Sequence, residues 1–250
     1  GCGVLVHHLA EKLLQEGHEI LLLLDIPLHE FDQFNNVDRN SFPNAHRIKA
    51  FRVDALCEDI DAGKDSVANV FQKKSLRFAH ALSKVASEEH PDFVEFFEYC
   101  GIGYASFLRK LYGVDFQSCT LGTRVHTSVE LMDQTEATKP LDAERFVMYG
   151  MEHAALDLAE TILIPGRTFF ESYYEHFYNI ASQRTVLSPP PMQALPSVTL
   201  KTDAERYKIT FLGRIFQLKG VEQLVKAAIM LLLRRMDRTL QFVFIGNDSS

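Results

Sequence analysis

The chain has little that marks a special environment. Its four cysteines, Cys2, Cys57, Cys100 and Cys119, lie far apart and form no C-x-x-C pair, which argues against a zinc site and a dense disulfide framework and fits a reducing, cytoplasmic setting. The longest apolar runs, Ile20 to Leu24 and Ala227 to Leu233, fall far short of the ~20 residues that cross a bilayer, and no signal-peptide pattern is visible. Basic residues are in the minority. With 26 Lys and Arg against 33 Asp and Glu, the net charge of −7 offers no broad footprint for nucleic acid, so an anionic ligand must be held locally. What remains is the composition of a globular protein, 250 residues long, 46% hydrophobic and 24% charged.

Helix and strand signals alternate along the chain. Apolar residues from Val4 to Leu14 recur at helical spacing and Gly17 supplies a stop, which predicts a helix over 4–16. The run from Glu19 to Leu24 then reads as a strand buried on both faces. A polar stretch, 27–44, reads as loop, followed by a strand at 47–53 and a helix over 65–89. Further strands are predicted at 93–96, 119–125, 161–164 and 184–187, with helices at 104–112, 152–160 and 167–177.

Four of the nine prolines fall between Pro189 and Pro196, and proline both fixes its backbone and lacks an amide donor. The expectation is a lobe over 1–188, a stiff linker over 189–203 and the start of a second lobe over 204–250, with strand, helix and strand at 207–212, 219–235 and 240–245. This alternation predicts an α/β protein of two Rossmann-like lobes with parallel sheets, whose ligands sit at the carboxyl ends of strands.

Four loops of that kind carry chemistry. Gly1-Cys2-Gly3 precedes the first helix, where small residues let an anion approach free amides, although a turn that needs glycine accounts for the same residues. Glu98, in an acidic and aromatic loop after the third strand, could accept from sugar hydroxyls or simply be a solvated carboxylate. His126, with Thr127 and Ser128 beside it, offers a compact donor to a sugar or phosphate, or caps its loop. In Gly213-Arg214-Ile-Phe-Gln-Leu-Lys219-Gly220, cations next to a helix N-terminus oppose its dipole, so a diphosphate between them explains their presence better than two solvated charges do.

Taken in order, these segments resemble family 4 glycosyltransferases of the two-lobed GT-B type. Gly1-Cys-Gly with Gly17-His-Glu is similar to that family's glycine loop and G-H-E-V turn, and Pro91-Asp-Phe-Val-Glu-Phe-Phe-Glu98-Tyr to its P-D-V-V-E-x-x-E/D-Y segment. Arg124-Val-His126 resembles its R-x-H or H-G loop, and Phe211-Leu-Gly-Arg214 to Lys219-Gly220 its F-x-G-R-x-x-x-x-K-G motif. The resemblance implies a nucleotide-sugar donor, an acceptor hydroxyl, retention of configuration, and neither a bound metal nor a cofactor. It implies that Gly3, Gly213, Arg214 and Lys219 lie at the donor diphosphate, that His126 is catalytic beside the donor sugar, and that Glu98 lies on the acceptor side. It also implies a longer parent, with a strand before Gly1 and an E-x7-E motif after Ser250, without which these residues do not build a complete active site. Two other readings stay open: another enzyme of the doubly wound class such as an epimerase or reductase, and a scaffold that binds nucleotide sugars without transfer. Gly1-Cys-Gly-Val-Leu-Val lacks the third glycine of a reductase fingerprint.

Overall fold

The computed structural model describes residues 2–59, 69–135, 142–178, 180, 184–191, 207–213, 219–234 and 240–246. Arg214, most of the expected linker (192–203) and the expected first turn of the 65–89 helix (65–68) lie outside the described residues. The chain forms two compact units, one of Gly1–Val129 with Pro140–Gln193, the other of Glu130–Lys139 with Ala194–Ser250.

The larger unit opens with helix α1 (Cys2–Gln15) and strand β1 (Ile20–Leu24). Helix α2 (Leu28–Asn36) follows inside the stretch expected to be loop. Its apolar residues Leu28, Phe31 and Phe34 are three apart, too few to stand out against Asp, Gln and Asn, and none of its residues is buried. Strand β2 (Ile48–Arg52) pairs in parallel with β1, from Ile20↔Ile48 to Leu24↔Arg52. Expected to be buried on both faces, β1 is half-buried throughout, because β2 is its one strand neighbour among the described residues. Ala10 and Leu14 of α1 pack with Phe42 and Ile48, joined by Ile20 and Leu22 of the strand.

Short helix α3 (Val53–Leu56) leads to α4 (Val70–Glu89), which starts at Val70 because the Asn69 carboxamide oxygen caps the amides of Phe71 and Gln72 at 2.8 and 3.3 Å. Its other end closes on His90 in the left-handed conformation. There follow β3 (Phe93–Phe97), α5 (Tyr104–Leu111), β4 (Thr120–Arg124), α6 (Val129–Thr135), α7 (Ala143–Leu158) and β5 (Thr161–Ile164). After α8 (Arg167–Phe169) a π-helical turn, Phe170–Tyr174, runs into α9 (Glu175–Tyr178) and β6 (Thr185–Leu187), so the single helix expected over 167–177 is broken in the middle.

Strands β3, β4, β5 and β6 form one parallel sheet in chain order, so all four carboxyl ends open along one edge. Helix α7 begins nine residues before its expected start, capped by the Asp142 carboxylate on the Glu144 amide at 2.8 Å. In the smaller unit β7 (Tyr207–Leu212) and β8 (Leu240–Ile245) are parallel from Tyr207↔Leu240 to Leu212↔Ile245, with α10 (Val221–Leu233) between them in sequence. The described elements are α/β with parallel sheets throughout, as expected from the alternation. No helix among the described residues is long and apolar enough to cross a membrane.

Candidate active site

The parallel register brings two of the expected site loops together. Phe97 stands opposite Arg124, so Glu98 and Val125 are the first residues past the ends of β3 and β4. Arg124 is buried and gives both arms of its fork to Glu95, Nε to Oε1 at 2.5 Å and Nη2 to Oε2 at 3.0 Å, while Nη1 reaches the carbonyl and hydroxyl oxygens of Ser188, each at 3.1 Å. The arginine of the R-x-H segment therefore locks β3, β4 and the residue after β6 together.

Glu98 has no exposed surface, so it is not a solvated loop carboxylate. Its Oε1 accepts from the His126 amide at 2.6 Å and from the Tyr174 hydroxyl at 2.9 Å, and its buried Oε2 has no hydrogen-bond partner among the described residues. Burial pushes the carboxyl up to about 7, against the opposing pull of the His126 amide and the Tyr174 hydroxyl and with a further push from the Glu152 charge. A proton on Glu98 removes the cost of a buried charge.

A second buried carboxylate, Glu152 of α7, accepts from the amides of Cys100 and Val129, both at 2.9 Å. Cys100 sits at φ 59, a left-handed conformation unusual for a side chain other than glycine, and its bond to Glu152 helps hold it there. Gly101 lets α7 come this close: a Cβ on it would lie 2.5 Å from Met151 Cβ and 2.8 Å from the Met151 carbonyl carbon. Tyr174, also fully buried, accepts from the Ser128 amide at 3.0 Å while donating to Glu98, and its ionisation is strongly suppressed by burial and then by the neighbouring Glu98 charge. The Ser128 hydroxyl meets the Tyr178 hydroxyl at 2.5 Å, and the two tyrosine rings stack 5.2 Å apart, one helical turn from each other.

The His126 ring, by contrast, belongs to an exposed residue and meets Phe97 edge-on at 6.4 Å. The edge of the sheet thus carries an exposed histidine next to a buried carboxyl and phenol network. Glu152, Tyr174 and Tyr178 were not singled out from the sequence. One signal for Glu152 was there: Met148, Glu152, Ala155 and Leu156 share a helical face, and a carboxylate on such an apolar stripe needs buried donors.

Gly3 was expected in a loop ahead of the first helix and instead lies inside α1, exposed, with no atom of the described residues within 4 Å of where a Cβ would be. On the same helix His8 Nδ1 lies 3.2 Å from Glu11 Oε2 and His7 Nε2 lies 3.7 Å from Glu11 Oε1, and the His7 ring rests on Phe42 at 4.5 Å. These three offer ligand atoms within 4.8 Å of one another, the one such group among the described residues.

In the smaller unit Gly213 follows directly on β7, at φ +153, and its amide donates to the Ile245 carbonyl at 3.0 Å. Lys219 is exposed, and Gly220 takes the left-handed φ of 79 at the N-cap of α10. The expected glycines and lysine of this segment therefore stand between the carboxyl end of a strand and the amino end of a helix.

No protein-family model matches the chain, and no curated protein matches it. Among solved structures it is similar to the crystal structure of the glycotransferase of kitacinnamycin, at 14% identity and a TM-score of 0.47, over 95% of this chain and 60% of that one. The chain thus spans less than two thirds of that neighbour's length.

Proposed function

We propose that the protein transfers a sugar from a nucleotide-sugar donor to an acceptor hydroxyl, as a retaining, metal-independent hexosyltransferase of the family 4, GT-B kind. One observation supports this reading above the rest. The segments whose sequence resembles that family lie at the carboxyl ends of parallel strands, Glu98 after β3, His126 after β4 and Gly213 after β7. That is where ligands meet folds of this class.

On this reading the reaction needs little covalent help from the chain. The leaving group is a nucleoside diphosphate, and its growing charge is met by Lys219, two residues before α10, whose dipole adds to it, and by Arg214, the residue that the family motif assigns to the same phosphate. The exposed His126 ring supplies a hydrogen bond to the donor sugar. Glu98 shapes the acceptor side from behind, since it has no surface of its own. Gly3, with none of the described residues near its Cβ position, leaves room for phosphate to come close to the α1 backbone. The nucleotide sugar is a substrate, and no further cofactor enters.

The test is nucleoside diphosphate release from UDP- and GDP-sugars, followed against a panel of acceptors with the full-length protein and a His126→Ala variant. The expected result is acceptor-dependent release that falls about a hundredfold or more in the variant. Donor binding without release from any acceptor would favour the scaffold reading, and release that is indifferent to His126 would remove it from the site.

A further inference from the structure

The hydrogen bonds around residues 126–129 point to a role for Glu98 other than contact with substrate. Past the end of β4 the sheet no longer satisfies the backbone, yet Ser128 and Val129 are buried and need partners there. Side chains supply them from three directions. The His126 amide goes to Glu98 beyond β3, the Ser128 amide to Tyr174 of the π-helical turn, and the Val129 amide to Glu152 of α7. The three acceptors are themselves linked, because Tyr174 donates to Glu98 and Glu152 holds the Cys100 amide two residues after Glu98.

We propose that Glu98 is a positioning residue, whose buried carboxyl, braced by Tyr174 and Glu152, holds the backbone of residues 126–129 so that the His126 ring is presented at the open edge of the sheet. That the presented ring serves sugar transfer rests on the function proposed above; that the carboxyl holds the loop does not. The groups facing Glu98 are the Tyr174 hydroxyl and the His126 amide in contact, with the Glu152 carboxyl near enough to act on it through its charge. None of them is a free cation that would draw Glu98 into its charged form. The upward push on its carboxyl to about 7 agrees with a group that works while protonated.

Glutamine copies a protonated glutamate, keeping one oxygen to accept from both His126 and Tyr174, whereas alanine removes the acceptor. Amide hydrogen exchange resolved at His126 and Ser128 separates these cases in the full chain without any ligand. Glu98→Gln should match the wild type within about twofold, while Glu98→Ala raises exchange at His126 about tenfold or more. Tyr174→Phe, which preserves shape, should raise exchange at Ser128 in the same way and stands in if Glu98→Ala does not fold. Where transfer is measurable, Glu98→Gln should keep it and Glu98→Ala lose it together with the exchange protection. A donor that fails to bind overturns the transfer reading and leaves the exchange result standing. Unchanged exchange in both Glu98→Ala and Tyr174→Phe overturns the clamp. So does a Glu98→Gln variant that is inactive with its loop protected, since the carboxylate would then be a catalytic residue.

Discussion

A carboxyl group with no exposed surface must either keep its proton or impose the cost of a buried charge, and for Glu98 this sets a pH dependence of stability. Its folded value, pushed up to about 7 by burial, lies above the ordinary 4.5, so between those values the native state binds a proton that the unfolded chain has released. Its contribution is therefore fully present below 4.5, declines as pH rises towards 7, and is lost above, a change on the order of 3 kcal/mol. Glu98→Gln cannot titrate. In urea titrations at pH 5 and pH 8 the variant should lack this part of the wild type's alkaline loss, so the difference between the two proteins changes with pH in that direction. Gly3 makes a different prediction at the same scale. Inside α1, with no described residue crowding it, Gly3→Ala should raise stability by about 0.5–1 kcal/mol, yet weaken donor binding if phosphate approaches the helix start there. Thermal unfolding and calorimetry on one variant read both effects.

At the scale of elements, what fixes the site is how close α7 comes to the turn after β3. Gly101 stands at φ +59 against the backbone of Met151, so a methyl group there forces α7 away and takes Glu152 with it. Gly101→Ala should cost about 2–4 kcal/mol, seen in denaturant unfolding, and should loosen the Val129 amide in exchange experiments. Strands were legible in the sequence because parallel strands are short apolar runs: 93–96 and 161–164 in the larger unit, and 207–212 and 240–245 in the smaller, match the structure to within a residue. Helices were less so. The first half of α7 was missed because Glu144, Arg145, Phe146 and Gly150 blur its apolar stripe, and α2 because three apolar residues in nine give little pattern. The break at Phe170–Tyr174 has no signature in periodicity at all, since an aromatic-rich run satisfies a helix and a π-helical turn alike.

For the whole molecule, the alternation of strands and helices was enough to anticipate parallel sheets, and the loops after β3, β4 and β7 were chosen for chemical reading because ligands of such folds sit at the carboxyl ends of strands. The network beneath the loops after β3 and β4 was not legible, because Glu98, Glu152 and Tyr174 come from three distant stretches and meet only through packing. Sequence reading could name Glu98 but left it between a sugar contact and a solvated carboxylate, and its complete burial removes the second. If donor phosphate is met by Arg214, Lys219 and helix amides with no metal between, chelation with EDTA should leave transfer rates unchanged, as an activity assay before and after dialysis would show. The measurement closest to the central claim is a calorimetric titration of UDP-sugars and GDP-sugars into the full-length protein and into its Arg214→Ala, Lys219→Ala double variant. Loss of two charge-assisted contacts should weaken binding of the accepted donor about a hundredfold or more. Binding of neither donor, or equal binding by both proteins, would contradict a nucleotide-sugar site at this strand-to-helix turn.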